Sequence, residues 1–596
     1  MFYRRLVPAA LALALGSLPV AAAEPSTSAE ARGGTAKDGP RVTVRSAPPG
    51  PTESPAAVRP VGPAVTGEIK RSDPAAAAPT TRGDGNALLP LSNLPPAKLV
   101  PNLCLLHYRV STASPQCQAF VDQGLGYYYS YVWMEAARSF ETATRIDPEC
   151  AMAWWGLYRA LDHYGKGDAA TQSLLRADAN KVHASPREQQ LILASMQEKG
   201  QAPGIGEDRK KAAIATLDNL LAVYDDDEEG WYFRAQLAGG AGGFGGLVSA
   251  VPFYKALLRI NPLHPGANHE LVHFYENYKR PALGLPYAEK YIESSPGIPH
   301  AFHMQAHLAT RLGRWKLTSD RSARAIELER AYHKEMGVKP SQDQQYAHHL
   351  EILLLSLIHD GRFAEARAIK QEAMDAKVKL VSPVNPVFRL HLAERNYDEA
   401  LKSAEEVRKH DKQKGSYLAA LVYLKSGDNA RALAEIEVLQ EASRRRSGGR
   451  SEKELELRLW ETQGTYLCQT GSPEPGLKLL ARCVEKTKDD FSHHSWGNGA
   501  YYMEAWGSAA LRCHKDDVAE EAFLESLAHD PGSVRAALGL QVLCERQGRS
   551  EEARRYGDLA LRCWGRAEVR SLEAERLALQ ADVTTAAAGT TAAATP

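Results

Sequence analysis

Small, apolar and aromatic residues recur at helical spacing along most of this chain. In Glu135-Ala136-Ala137-Arg138-Ser139-Phe140-Glu141-Thr142-Ala143 the small and aromatic positions share one helical face. Ile146-Asp147-Pro148 then stops that helix, because proline disfavours helix at the residue before it. Upstream, Phe120, Gly124 and Tyr127 set large, small and large residues on one face. The pattern returns at Ala250, Tyr254 and Asn261-Pro262, and again at Gly507, Ala519, Phe523 and Asp530-Pro531. Gly313-Arg314-Trp315, Gly361-Arg362-Phe363, Asn396-Tyr397-Asp398 and Gly548-Arg549-Ser550 mark turns into second helices. Pro262 to Pro296 is one period of 34 residues. A helical hairpin cannot bury its apolar stripe alone, so units of this kind stack.

This spacing resembles the tetratricopeptide repeat (TPR), a helix–turn–helix unit of 34 residues. The resemblance implies an all-α, TPR-type helical-hairpin solenoid. We place an N-terminal array with a histidine-lined groove at residues 99–332 and a C-terminal array at 333–581. Together they have room for roughly fourteen units. The period breaks at Ser185–Gly206, at Lys334–Gln345 and at the basic run Arg444 to Arg450, which reads as a solvated turn.

Composition adds the two ends. Residues 1–23 have a basic start (Arg4, Arg5), an apolar stretch from Leu6 to Val20 and Ala21-Ala22-Ala23 before Glu24, the pattern of a signal peptide cleaved after Ala23. Residues 24–98 are rich in Pro, Ala, Ser, Thr and Gly and nearly free of aromatics, which predicts a disordered spacer; residues 582–596 read as a disordered tail. The expectation is a protein without an integral membrane span, periplasmic or secreted after cleavage. The 72 basic side chains balance 72 acidic ones, so no global field draws in a polyanion, and nucleic acid is not the expected partner.

The histidines carry the chemistry. His269-Glu270-Leu271-Val272-His273 is H-E-x-x-H, which on a helix lets two imidazoles hold one Zn²⁺ beside a carboxylate. His303-Met304-Gln305-Ala306-His307 repeats the pair, each histidine 34 residues after its counterpart. Counted from Pro265 and Pro299, both pairs fall fifth and ninth in their units. In TPR proteins those places line the concave groove, and His300, second in its unit, faces the same way. A further first helix starting near Ala347 adds His348 and Glu351, with Leu350, Leu353, Leu354 and Leu357 on its buried side. The candidate metal ligands are therefore His269, His273, His303 and His307, with His300, His348 and Glu351 as additions. Imidazole-rich ligation suits Zn, Cu or Ni more than Mg or Ca.

The run from His264-Pro265-Gly266-Ala267-Asn268-His269 to Arg311-Leu312-Gly313, with Cys150-Ala151-Met152-Ala153-Trp154-Trp155-Gly156, resembles a group of largely uncharacterised bacterial TPR-containing proteins. The likeness spans about Leu105 to Ala366, and the group usually lacks an acid at the place of Glu270. No established reaction comes with it. Three functions stay open: an exported scaffold binding a peptide or protein in its groove, the same scaffold holding a transition metal, and a metal-dependent hydrolase with Glu270 or Glu351 as base.

Other signals are weaker. Gly240, Gly242 and Gly245 satisfy G-x-G-x-x-G, but the dinucleotide reading needs a strand before and a helix after. Cys468 and Cys483 are offset along their hairpin by roughly 13 Å, too far for a disulfide. Cys104 and Cys117 are the better pair.

Overall fold

The computed structural model describes residues 88–202, 208–239, 248–343, 345–380, 385–445, 450–489, 500–568 and 570–580. The stretch expected to be a signal peptide, most of the expected spacer, Gly240 to Gly246, the centre of the basic run and the expected C-terminal tail lie outside the described residues. Among the described residues there is no strand, and no helix is long and apolar enough to cross a membrane.

Helical hairpins follow one another along the chain. The first are α1 (Pro115–Tyr129) with α2 (Trp133–Ile146), α3 (Ala151–His163) with α4 (Gly167–Ala179), α5 (Pro186–Glu198) with α6 (Arg209–Val223), and α7 (Glu228–Gly239) with α8 (Val251–Ile260). Next come α9 (Pro265–Asn277) with α10 (Pro281–Ser294), α11 (Pro299–Arg311) with α12 (Trp315–Met336), and α13 (Tyr346–His359) with α14 (Phe363–Asp375). The rest are α15 (Pro386–Ala393) with α16 (Tyr397–Arg408), α17 (Lys412–Ser426) with α18 (Asn429–Arg444), α19 (Arg450–Gln469) with α20 (Pro473–Thr487), α21 (Tyr501–Arg512) with α22 (Asp516–His529), and α23 (Val534–Arg546) with α24 (Ser550–Cys563).

Two copies of one packing device show why the hairpins stack. Phe140 on α2 wedges between α1 and α3, where a Cβ on Gly124 would come within 2.8 Å of its ring and one on Gly156 within 2.3 Å. Phe523 on α22 sits in the same way between Gly507 on α21 and Gly539 on α23, with would-be Cβ approaches of 2.6 and 2.4 Å. In each copy the glycines lie sixteen residues either side of the ring. Both rings are buried. The missing side chains let a second helix plug the seam between successive first helices, which fixes their spacing.

Several boundaries differ from the sequence reading. Leu89 is fully buried, and the backbone amides of Leu91 and Ser92 donate to Glu141 at 2.7 and 2.8 Å. Residues 88–98, assigned to the spacer, therefore pack on α2. The hairpins continue where the period breaks: Ser185 caps α5 in a capping box with Glu188, and α5 pairs with α6. The division at 332/333 falls inside α12, which runs on to Met336, and the described residues form one compact unit. Cys104 and Cys117 do not meet. Cys104 Sγ lies 3.6 Å from Ser295 Oγ, Cys117 faces Cys150, and the cysteines are free thiols.

The array also closes on itself. The turn between α1 and α2 reaches α10 and the start of α13: Tyr291 donates to Ser130 Oγ at 2.7 Å, and Gln345 Nε2 to the Ser130 carbonyl at 3.4 Å. Tyr332 on α12 donates to Glu135 on α2 at 2.7 Å. Farther on, Trp315 Nε1 donates to Asp530 at 2.9 Å, Trp564 Nε1 to the His359 carbonyl at 2.8 Å, and Arg566 to Asp360 at 2.6 Å.

Phe140→Ala is expected to lower unfolding free energy by about 3–5 kcal/mol, the usual range for emptying a buried aromatic site. Gly156→Val should destabilise as well, by forcing a branched side chain into the Phe140 ring. Urea denaturation of both variants reads this out, and parent-like stability of Gly156→Val would show that the close approach imposes no constraint.

Candidate metal centre

α9, α11 and α13 are first helices of successive hairpins and pack side by side, α9 against α11 and α11 against α13. The start of α9 is fixed by His264, its N-cap, whose Nδ1 accepts the Ala267 amide proton at 3.1 Å ahead of Pro265 at the first helical position. Gly266 lets that turn lie directly on α1, where a Cβ would stand 2.5 Å from the Tyr129 ring. The helices start at Pro265 and Pro299, as the spacing predicts, so both histidine pairs keep their expected register.

The grouping differs from the expected one. One nitrogen from each of His269, His273 and His300 lies within 4.8 Å of the others, and the same holds for His303, His307 and His348. Each H-x-x-x-H pair thus takes its third member from the first turn of the next first helix, His300 second in α11 and His348 third in α13, rather than joining the neighbouring pair. His269 Nε2 is 3.0 Å from His300 Nε2, and His307 Nε2 is 3.3 Å from His348 Nε2. His269 Nδ1 lies 2.6 Å from the Tyr129 carbonyl oxygen, which can only accept. That nitrogen carries the ring proton, so the Nε2 lone pair points into the triad. His307 is set in the same manner, its Nδ1 donating to Glu276 Oε1 at 3.0 Å.

Glu276 was not anticipated, although its place seven residues after His269 and three after His273 puts it on their face. Arg311 donates to Oε1 through Nε at 2.9 Å, while Oε2 lies 3.7 Å from His273 Nδ1. Burial alone would raise this carboxyl, but His307, Arg311, the nearby His273 and the hydrogen bond from His307 hold it well below the usual range. The two triads therefore share one ionised carboxylate behind them.

The open concavity expected from the sequence is not what the histidines occupy. His269, His273, His300, His303 and His307 are all buried. The docked α1–α2 turn supplies part of the cover: the Tyr131 ring centre is 4.5 Å from that of His269, 5.7 Å from His273 and 6.1 Å from His300. Tyr131 holds a left-handed backbone, φ 59°, and also stacks on Trp133. Burial pushes His269, His300 and His303 well below the ordinary imidazole range, and His307 to about 4 despite Glu276. At neutral pH these rings are uncharged, the form that ligates metal.

The remaining candidates stand apart from the triads. Glu270 Oε1 accepts the phenol protons of Tyr131 at 2.6 Å and Tyr232 at 3.2 Å. Glu351 Oε2 is 4.0 Å from His348 Nδ1 and joins neither group. Leu350, Leu353, Leu354 and Leu357 form the buried side of α13 as expected. His349, not foreseen, is buried with its ring 4.0 Å from that of His303 and its Nδ1 2.8 Å from Glu329 Oε1. Two surface hollows of about 750 and 730 Å³ lie elsewhere, one beside Arg330 and Tyr346 and one beside Trp315 and Pro531.

Each donor set fits a borderline or soft transition ion: three imidazoles, one of them with its tautomer fixed by a carbonyl or carboxylate on the far nitrogen. Three protein ligands leave a position for one more.

His264 gives the acid response a sign. Burial lowers it to about 3, from 6.5 in the unfolded chain. A base held neutral in this way contributes stability above pH 6.5, which is lost as pH falls toward 3. His264→Asn keeps a capping side chain without the titration. Its stability relative to the parent should improve on acidification, by on the order of 4 kcal/mol across the window, read from thermal denaturation at stepped pH. A pH-independent difference would show that His264 is not the acid-sensitive cap.

Among known proteins, the tetratricopeptide repeat family model matches residues 121–183, 388–446 and 505–568. No curated protein matches the chain. Solved structures that match include the human IFIT1 dimer with m7Gppp-AAAA, at 13% identity over 76% of this chain and 90% of that one, TM-score 0.25. The human IFIT1 dimer with PPP-AAAA is also similar, at 13% identity over 74% and 88%, TM-score 0.25. The helical hairpins and the three matched stretches agree: the chain carries tetratricopeptide repeats over residues 121–183, 388–446 and 505–568.

Proposed function

We propose that this chain is an exported TPR scaffold that binds a peptide or protein partner and holds transition-metal ions, zinc foremost, in two three-histidine sites. The observation that carries the reading is the double convergence of ring nitrogens, five of the six rings buried, each group drawn from two neighbouring helices. Burying five imidazoles is costly unless their nitrogens find partners, and ligation gives converging lone pairs one. Stacked TPR hairpins supply the extended surface on which partners dock. The signal-peptide pattern at residues 1–23 supports delivery outside the cytoplasm.

A hydrolase would need a carboxylate placed to take a proton beside the ion. Glu270 already accepts two phenol protons on one oxygen, which weighs against it in that role. The binding reading is therefore preferred.

Metal analysis of the mature chain, purified without a histidine tag, should find about two equivalents of zinc, copper or nickel. His269→Ala and His303→Ala should each remove one equivalent, and the double variant both. Glu276→Gln should weaken binding by about 10–100-fold, the usual effect of losing a partner behind a ligating histidine. A chain that takes up none of the three metals after reconstitution would overturn the proposal.

A further inference from the structure

The two triads are built differently. In the first, every histidine is buried, with Tyr131 against all three rings and Tyr291 stacked on His269 at 4.9 Å. Tyr131 is itself held by its hydrogen bond to Glu270 and its stack on Trp133. A donor from outside would have to displace packed aromatic rings to reach this group. In the second, His303 and His307 are buried, but the His348 side chain is 41% exposed against 10% for His273. The second group therefore has one edge in water, at the start of α13, where the first has none.

We infer that the first triad is a closed site and the second an open one, which takes its remaining ligand from a partner. This rests on the metal reading above. The donor has to be a single nitrogen or oxygen of side-chain size, since only the His348 edge is accessible. An imidazole or carboxylate on a peptide lying across the start of α13 meets that requirement. Neutral imidazoles leave the charge of a divalent ion uncompensated by its ligands, which favours a carboxylate or another good σ-donor at the open position. The TPR scaffold and the histidine cluster thus become one device: the ion is the anchor by which the partner is held. No bond within the partner is made or broken.

Cobalt(II) reports the number and geometry of its ligands through its visible bands, so the full-length mature protein loaded with cobalt provides the test. Azide or free imidazole should change the bands of one of the two ions and leave the other unchanged. His348→Ala should remove the responsive ion and keep the silent one, while His273→Ala should do the reverse. A short histidine- or aspartate-bearing peptide should produce the same change at concentrations at least tenfold below free imidazole or acetate; equal potency would mean a small-molecule ligand and would overturn the peptide assignment. Two bound ions with no response, or a response from both, would overturn the division into closed and open sites. Failure to bind cobalt, zinc, copper or nickel would sink the metal reading itself, which separates the two failures.

Discussion

No hairpin here can cover its own apolar stripe, and everything else about the molecule follows from the way neighbours do it. Phe140 between Gly124 and Gly156, and Phe523 between Gly507 and Gly539, show second helices reaching across the seam between successive first helices. That contact sets the first helices side by side at a fixed spacing. Residues one period apart then become spatial neighbours, and a pair of histidines on one helix meets histidines on the next. The chemistry of the centre is a by-product of register that the packing imposes.

Register was also the part most readable from the sequence. The prolines at 265 and 299 start α9 and α11, and the leucines of α13 lie on the side expected of them. Which histidines combine was not readable. Neighbouring first helices touch on a diagonal, an early residue of one reaching a later residue of the helix before it. His300 therefore meets His269, and His348 meets His307, at sequence separations of 31 and 41 rather than 34. A repeat period predicts equivalent faces; it does not predict these diagonal contacts.

Curvature was invisible for a different reason. Periodicity describes how each unit meets the next, whereas the burial of the triads depends on residues far apart in sequence. Tyr131, the Tyr129 carbonyl and Gln345 cover or brace the site through contacts that no local pattern encodes. The aromatic run at Tyr127 to Tyr131 was visible, but its place over α9 was not. Glu276 could have been found from the helical face it shares with His269 and His273. His349 could not, because its burial depends on how α13 meets α12.

The closing contacts also change what kind of solenoid this is. An open repeat array behaves as a one-dimensional chain, whose units can melt one after another from either end. Here Ser130 is tied to Gln345, Trp315 to Asp530 and Asp360 to Arg566, so both ends of the array lean on its middle. Removing terminal units would uncover the histidine helices instead of merely shortening the stack. Such long-range closures raise the contact order and slow folding. They also join the hairpins into a body whose units lose the freedom to fray independently, and a half-synthesised chain has the histidine-bearing helices without the walls that bury them.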